Sequence, residues 1–486
     1  MNTETKFQGR DLIDLGWKQG PAIGTAVRAA NELLNAGTQR EEIVTKLVLV
    51  NSAPKEYVKD DVWAETAGQL MEARQEPYQL REEPAPLNVW GRELIDEGSF
   101  EQINNAAKLP VTLKVALMPD AHIGYGLPIG GVAALEGAIA PYMVGVDIGC
   151  RMHATIFDRN PIHLDQDKRG YVKYLQDHTY FGRQGPSRKK RNQHEILDDP
   201  RWQELPHHLS GLHQKAAEQL GTSGGGNHFA EWTQLVMYEG NPLGLDPGKY
   251  IALVTHSGSR GVGYKIANYY TKVAERLCSF LPKELQHLAW LNHNTDAGQE
   301  YEMAMNLAGD FAKANHEVIH RRISEDLGVG AVVGTIQNHH NFAWRVERED
   351  DTPVFIHRKG ATPAGKDVTG IIPGSMATPG FFVKGLGDTA DKILENRSLN
   401  SAAHGSGRVL GRRQAHRTLD QNAVRQTLKK RRVTLIGGGL DEAPDAYKDS
   451  REVIAAQSDL VEVWAEFQPV IVRMEAPRGK SLGKGT

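Results

Sequence analysis

Five histidine-bearing segments share one setting, in which imidazole lies beside glycine, asparagine or serine where a short apolar run gives way to a loop. They are "PDAHIGYG", "GGGNHFAEW", "THSGSRGVG", "QNHHNFAW" and "AAHGSGRV", supplying His122, His228, His256, the pair His339 and His340, and His404. Any one of them alone reads as a hydrogen-bonded structural histidine. Together they demand strands whose ends carry aimed side chains, because glycine lets the backbone turn to point them. From Val89 onward, short apolar runs such as "VALM", "GGVAAL", "YIALVTH", "VTLIGGG" and "PVIVRM" alternate with amphipathic stretches such as "NYYTKVAERLCSFL". That alternation predicts an α/β (α+β) body with glycine-rich loops at its strand ends.

The 50 glycines of the 486-residue chain fit such a body. Only two cysteines occur, Cys150 and Cys278, too few for a disulfide framework, so a thiol with a role is a metal ligand or a reactive group. In "GVDIGC" the Cys150 thiolate stands three residues from Asp147 on a tight turn. It could bridge two cations while the carboxylate holds one of them. The alternative is a small buried cysteine acting as filler. Imidazole, thiolate and carboxylate are transition-metal ligands, so a metal centre accounts for the combination better than acid–base chemistry alone. Glycine-rich "SGGGNHF", "IPGSM" and "HGSGR" would let backbone N–H groups approach triphosphate oxygens.

Three regions are expected along the chain: a helical module over residues 1–80, a catalytic body over 81–474 and a basic tail over 475–486. The module is read from helical spacing in "DLIDLG", "AVRAANELLNAG" and "REEIVTKLVLV", and "EARQEPYQLREEPAPLN" reads as the linker after it. Two basic clusters, "GRQGPSRKKRNQ" and "QTLKKRRV", are solvated faces or phosphate contacts. No run of eighteen apolar residues occurs and the N-terminus lacks a signal-peptide layout, which predicts a cytoplasmic protein without a membrane span.

The ordered series "MPDAHIGYGLPIGGVAAL", "GVDIGCRM", "GGGNHFAEW", "THSGSRGVG", "NHHNFAW", "HRKGATPA", "IPGSMATPG", "AAHGSGR" and "DEAPDAYKD" resembles the RtcB family of GTP- and manganese-dependent RNA ligases. The resemblance runs from about residue 86 to residue 474. It implies a dinuclear Mn²⁺ centre in which Asp147, Cys150 and His228 hold one ion and Cys150, His256 and His340 the other. His340 is preferred over His339 because the family's ligand histidine precedes asparagine. His404 is implied as the nucleophile that becomes guanylylated by GTP. The nucleotide site is implied to include Asn227, His228, Phe229, Glu231, His340, Asn341, Pro373, Gly374, Ser375, Met376, His404, Gly405, Ser406, Gly407 and Tyr447, with Glu231 facing guanine. Arg260, Lys359 and Arg408 are implied to contact RNA phosphates. The reaction implied joins RNA ending in a 2′,3′-cyclic phosphate or 3′-phosphate to a 5′-hydroxyl end.

The pattern departs from the family after "IPGSM", where Gly380 and Phe381 stand in place of a guanine-contacting serine. Near the C-terminus Arg473 is the substitute for the usual lysine, and Ser406 replaces an alanine. Asp120 and His122 match strongly but have no assigned step; orienting the ligands is one role open to them. The segment "GRDLIDLGWKQGPAIGTAVRAANELLNAG" resembles the C-terminal helices of tRNA-nucleotidyltransferases, which favours tRNA or another structured RNA as partner. An activating protein is compatible with this reading, and the ligand set would accept Zn²⁺ or Co²⁺ as well as Mn²⁺. Two alternatives stay open: a two-metal RNA phosphodiesterase with no covalent nucleotide, and a non-catalytic tRNA-end binder.

Overall fold

The computed structural model describes residues 6–18, 20–74, 79–182, 185–186, 191–328, 332–348, 351–389, 392–477 and 481–483. Part of the cluster "GRQGPSRKKRNQ" and half of the C-terminal basic tail lie outside these residues, as do residues 75–78 of the linker. The chain divides into two compact units, Met1–Gln79 and Leu80–Thr486. Among the described residues no helix is long and apolar enough to cross a membrane.

The first unit is all helical: Gly9–Asp14, Pro21–Asn35, Arg40–Ser52 and Ala64–Arg74. Pro21 begins its helix at the position where a missing N–H costs nothing. Apolar residues recurring three or four apart give each helix one buried stripe. Leu12, Ala26, Ala30, Ile43, Leu47, Val50 and Trp63 meet in the centre. Arg28 and Glu65 pair at 2.8 Å on the exposed side.

The second unit is α/β, and its strands are numbered along the chain. A five-stranded sheet runs β1 (Leu87–Val89), β2 (Thr112–Tyr125), β3 (Leu127–Glu136), β11 (Val354–Lys359) and β10 (Asn341–Val346). An eight-stranded sheet runs β13 (Thr369–Ile372), β14 (Gly380–Gly385), β17 (Val461–Met474), β6 (Phe229–Met237), β7 (Gly248–Ser257), β5 (Arg151–Phe157) and β9 (Val332–His339), with β16 (Thr434–Ile436) parallel to β17. Two short pairs, β4 (Ala138–Ile139) with β8 (Leu291–Asn292) and β12 (Ala361–Pro363) with β15 (Ser401–Ala403), complete the strands described.

Both faces of the larger sheet are buried, which is why its strands read as continuous apolar runs rather than alternating ones. On β7, Ala252 and Val254 enter one core with Met152, Ala154 and Phe467, while Ile251 and Leu253 enter the other. The second core is closed by Tyr171 and Leu175 of helix Lys168–His178 and by Ile319 and Ile323 of helix Asp296–Leu327. The two sheets share a further core in which Met118, Val132 and Ile356 meet Ile372, Phe381 and Val461. Loops at the ends of β5, β6, β7 and β9 thereby converge.

Candidate metal centre and catalytic cavity

The turn that precedes β5 carries Asp147 and Cys150, closed by Cys150 N–H donating to the Asp147 carbonyl at 3.1 Å. Gly149 between them has φ +68° and lies so close to Gly309 that a Cβ would come within 2.8 Å of its Cα. Only glycine satisfies both demands. His228 lies just before β6, His256 near the end of β7, and His340 between β9 and β10. Neighbouring backbones lock them together: His340 N–H donates to the Cys150 carbonyl at 3.0 Å, and Gly149 N–H to that of Asn341 at 2.8 Å.

Five donor atoms meet there. The Cys150 Sγ is 3.2 Å from His256 Nε2 and 3.5 Å from His228 Nε2. His228 Nε2 is 2.8 Å from Asp147 Oδ2, and the Nε2 atoms of His256 and His340 are 3.1 Å apart. His228 and His256 face backbone carbonyls through Nδ1, of Ser223 at 2.9 Å and Asn227 at 3.2 Å. Those bonds fix the tautomer and leave each Nε2 lone pair turned inward. Gly258 makes room for the carboxylate, since a Cβ there would sit 2.1 Å from Asp147 Oδ1.

Electrostatics agree with the geometry. Burial holds His256 at a pKa of about 3 and His340 well below the ordinary histidine range, so both stay neutral. Burial pushes the Asp147 carboxyl up, but the neighbouring His228 and a hydrogen bond from the Cys150 thiol bring it below its usual value. Burial and the Asp147 charge push the Cys150 thiol well up. The buried Nδ1 of His340 has no partner, so no hydrogen bond assigns its proton; with that proton on Nδ1, two lone pairs face each other at 3.1 Å and a cation between them would satisfy both. The donor set therefore fits one or two divalent ions, with Cys150 the atom able to be shared.

The cluster forms the floor of a cavity of about 880 Å³. Asn227, Phe229, Glu231, Asn341 and Lys359 line it, with Pro373, Gly374, Ser375 and Met376 on one loop. His404, Gly405, Ser406, Gly407, Arg408 and Tyr447 complete the lining. Glu231 is 3% exposed, and burial alone pushes its carboxyl well above the ordinary range. Lys359 is brought down to about 7 by burial. Arg408 donates to Tyr447 Oη at 3.2 Å and to the Leu410 carbonyl at 3.0 Å.

His404 stands 4.9 Å, ring centre to ring centre, from His340. Its Nδ1 meets Asp120 Oδ2 at 2.6 Å, and its backbone N–H donates to the same oxygen at 3.2 Å. Asp120 is fully buried on β2. Sequence reasoning gave it no step; the structure gives it the orientation of His404. Gly360 clears the ring's other side, for a Cβ there would approach His404 Cε1 to 3.0 Å. His122, brought to about 4 by burial, contacts the Asp120 carbonyl through Nδ1 at 3.0 Å.

The fold takes three anticipated residues elsewhere. Gly380 packs against the Phe467 ring, which a Cβ would meet at 2.2 Å, and it does not line the cavity. Arg473 alternates with the cavity-lining Val472 and Met474 on β17, so it points to the opposite face, donating to the Leu175 carbonyl. The Arg260 guanidinium binds Thr222 Oγ1 at 3.0 Å and the Gly182 carbonyl at 2.6 Å, outside the cavity wall. His339 turns away from the donors and stacks on Trp344 at 4.8 Å. From the second basic cluster, Arg431 donates to the Ala377 carbonyl at 3.3 Å.

A second buried group, His153, His316 and His320, has the composition of a metal site. The nitrogens of His316 and His320 are otherwise engaged. His316 Nε2 meets the Ser257 carbonyl at 3.2 Å and its Nδ1 meets Thr255 Oγ1 at 2.7 Å. Thr255 Oγ1 also meets His320 Nε2 at 2.7 Å, and His320 Nδ1 meets Thr155 Oγ1 at 2.8 Å. His153 stacks on His320 at 4.0 Å, and its buried Nδ1 has no partner.

An α/β body whose strand ends present a metal-capable cluster beneath a cavity of nucleotide size defines a class of protein rather than one activity. Residues 102–475 match the family model described as tRNA-splicing ligase RtcB. The RNA-splicing ligase RtcB of Escherichia coli (strain K12) is 31% identical over 421 residues, covering 81% of this chain and 98% of that protein. The tRNA-splicing ligase RtcB of Archaeoglobus fulgidus is 30% identical over 431 residues, covering 74% and 87%. The RNA-splicing ligase RtcB of Mycobacterium tuberculosis is 30% identical over 436 residues, covering 76% and 99%. The chain belongs to the RtcB family.

Proposed function

We propose that this protein is an RNA ligase that uses GTP and two Mn²⁺ to join a 2′,3′-cyclic phosphate or 3′-phosphate RNA end to a 5′-hydroxyl end. The family membership supports RNA joining. The observation that carries the covalent step is the Asp120–His404 contact at 2.6 Å, in one cavity with the Asp147, Cys150 and histidine donors.

Asp147, Cys150 and His228 would hold one ion and Cys150, His256 and His340 the other. Divalent ions bound there neutralise phosphate oxygens and so make phosphorus a better electrophile. With Nδ1–H donated to Asp120, His404 keeps its lone pair on Nε2. That lone pair attacks the α-phosphorus of GTP, an N–P bond forms, and the bond to the β-phosphate oxygen breaks as pyrophosphate leaves. Asp120 stabilises the positive charge that develops on the ring. A cyclic phosphate end is first opened by water to a 3′-phosphate. An oxygen of that phosphate then displaces His404 from phosphorus, restoring the imidazole and leaving GMP on the RNA end. Finally the 5′-hydroxyl oxygen attacks the RNA phosphorus, losing its proton, and GMP departs.

Glu231 is read as the guanine contact, since guanine's N–H donors would satisfy a carboxyl group that burial otherwise disfavours as an anion. Broken tRNA or another structured RNA is the substrate we favour, with the N-terminal helices as an RNA-contacting element and the cytoplasm as location. Incubation with α-labelled GTP and Mn²⁺ should leave label on the chain, and His404→Ala should remove it entirely. A parallel incubation with α-labelled ATP tests base choice. A wild-type protein that cleaves RNA while staying unlabelled would point to the hydrolytic alternative.

A further inference from the structure

Beside the cavity stand aromatic rings that the reaction above does not use. Tyr125 is 67% exposed and Ile123 60%, the largest exposures among the large hydrophobic side chains of the described residues. Both line the cavity that holds His404. Tyr125 is nonetheless firmly seated. Its ring meets Tyr142 edge-on at 6.4 Å and His287 at 6.1 Å, and those two stack on each other at 4.8 Å with planes 20° apart. The turn after it packs closely: Gly126 adopts φ +69°, and a Cβ there would lie 2.6 Å from the His287 carbonyl oxygen. Lys359 Nζ lies 5.0 Å from the Tyr142 ring centre and donates to the Tyr142 carbonyl at 3.1 Å and to the Tyr125 carbonyl.

An exposed ring beside a closely packed turn, backed by two further rings and a lysine, is the construction of a stacking surface. It is built on the same strand, β2, as the Asp120 that orients His404. An RNA end can present its phosphate to His404 only when its last base is out of a helix, and an unstacked base needs an apolar face to rest on. Stacking tolerates any base, which suits an enzyme that joins ends of varied sequence.

We propose that Tyr125, supported by Tyr142 and His287, is the platform on which the terminal nucleobase of the 3′-phosphate RNA strand stacks, setting its phosphate toward His404. The proposal rests on the ligase reading. Its test separates the two, because guanylylation with GTP alone reports the reading and joining of RNA ends reports the platform.

The measurement is steady-state joining of single-stranded oligonucleotides by the full chain with Mn²⁺ and GTP, alongside labelling by α-labelled GTP. Tyr125→Ala should raise KM for the 3′-phosphate strand about tenfold, the usual worth of one stacked base, with labelling and kcat preserved. Tyr125→Phe and Tyr125→Trp should restore KM. An oligonucleotide whose 3′-terminal nucleotide is abasic should bind wild type and Tyr125→Ala alike. An unchanged KM in Tyr125→Ala, a defect that persists undiminished on the abasic strand, or a defect cancelled only by an abasic 5′-hydroxyl strand would each overturn the proposal. Loss of labelling in wild type would instead sink the ligase reading.

Discussion

Two histidine clusters grow from the same pair of strands, and they have opposite fates. β7 presents His256 to one side and Thr255 to the other, while the β5 segment leads with Cys150 and continues to His153. Above, the Nε2 atoms of His256 and His340 confront each other across 3.1 Å with a thiol and a carboxylate beside them. Below, one directional chain accounts for every nitrogen of two rings. His316 donates to the Ser257 carbonyl and accepts from Thr255, whose oxygen accepts from His320, which in turn accepts from Thr155. Residue types alone nominate both groups for a metal. Donor convergence favours the first, where five donor atoms meet, over the second, where two rings are tied up and His153 Nδ1 alone lacks a partner.

The comparison breaks most sharply at the donors. Cys150→Ala or His340→Ala should lower Mn²⁺-dependent labelling of His404 at least about a thousandfold, since each removes a donor that nothing nearby replaces. Co²⁺ titration gives a second view: a thiolate-to-cobalt charge-transfer band should appear in wild type and vanish in Cys150→Ser. A second, thiolate-free Co²⁺ site that disappears on His320→Gln would contradict the assignment of the lower cluster.

His404 lies between the two cases, with one nitrogen engaged and one free. Asp120→Asn presents an amide that can donate to Nδ1, moving the ring proton to Nε2 and occupying the attacking lone pair. Labelling should slow by roughly a hundredfold or more while bound metal, read by elemental analysis, stays constant.

For the lower cluster the expected loss is in stability. Thr255→Val strands one nitrogen on each of two buried rings and should cost about 2 kcal/mol in urea unfolding, with metal content unchanged. Burial places His153 at about 3 and holds His316 and His320 well below the ordinary value. Unfolding raises each to about 6.5, so the unfolded chain binds the extra protons. Stability should therefore be at its full value above pH 6.5 and fall below it, by up to about 1.4 kcal/mol per pH unit for each ring. The smallest effect belongs to His153, whose Nδ1 makes no hydrogen bond: His153→Phe should stay within about 1 kcal/mol of wild type and blunt the acid response.

Sequence patterns reveal the upper cluster more readily than the lower one. Its donors sit beside glycines, and glycine is legible because Gly149, Gly258 and Gly360 each stand where a methyl group would strike a neighbour. The α/β body was equally legible, from apolar runs that are continuous because both faces of the sheet are covered. Asp120 was visible as a motif residue but not as a partner of His404, since 284 positions separate them and only the packed fold brings them together. Arg473 and Gly380 illustrate a different limit. The two-residue repeat of β17 turns Arg473 away from the cavity, and its register shift between Pro469 and Ile471 has no marker in the sequence. Gly380 is glycine for the sake of the Phe467 ring.

Gly258 carries no donor atom, yet the space above its α-carbon is where the Asp147 carboxylate rests, 2.1 Å from any methyl placed there. Its backbone lies outside the left-handed region, so alanine meets no torsional obstacle at that site. The carboxylate can thus be moved from a position that carries no donor, giving an experimenter a chain with every donor retained and the carboxylate displaced.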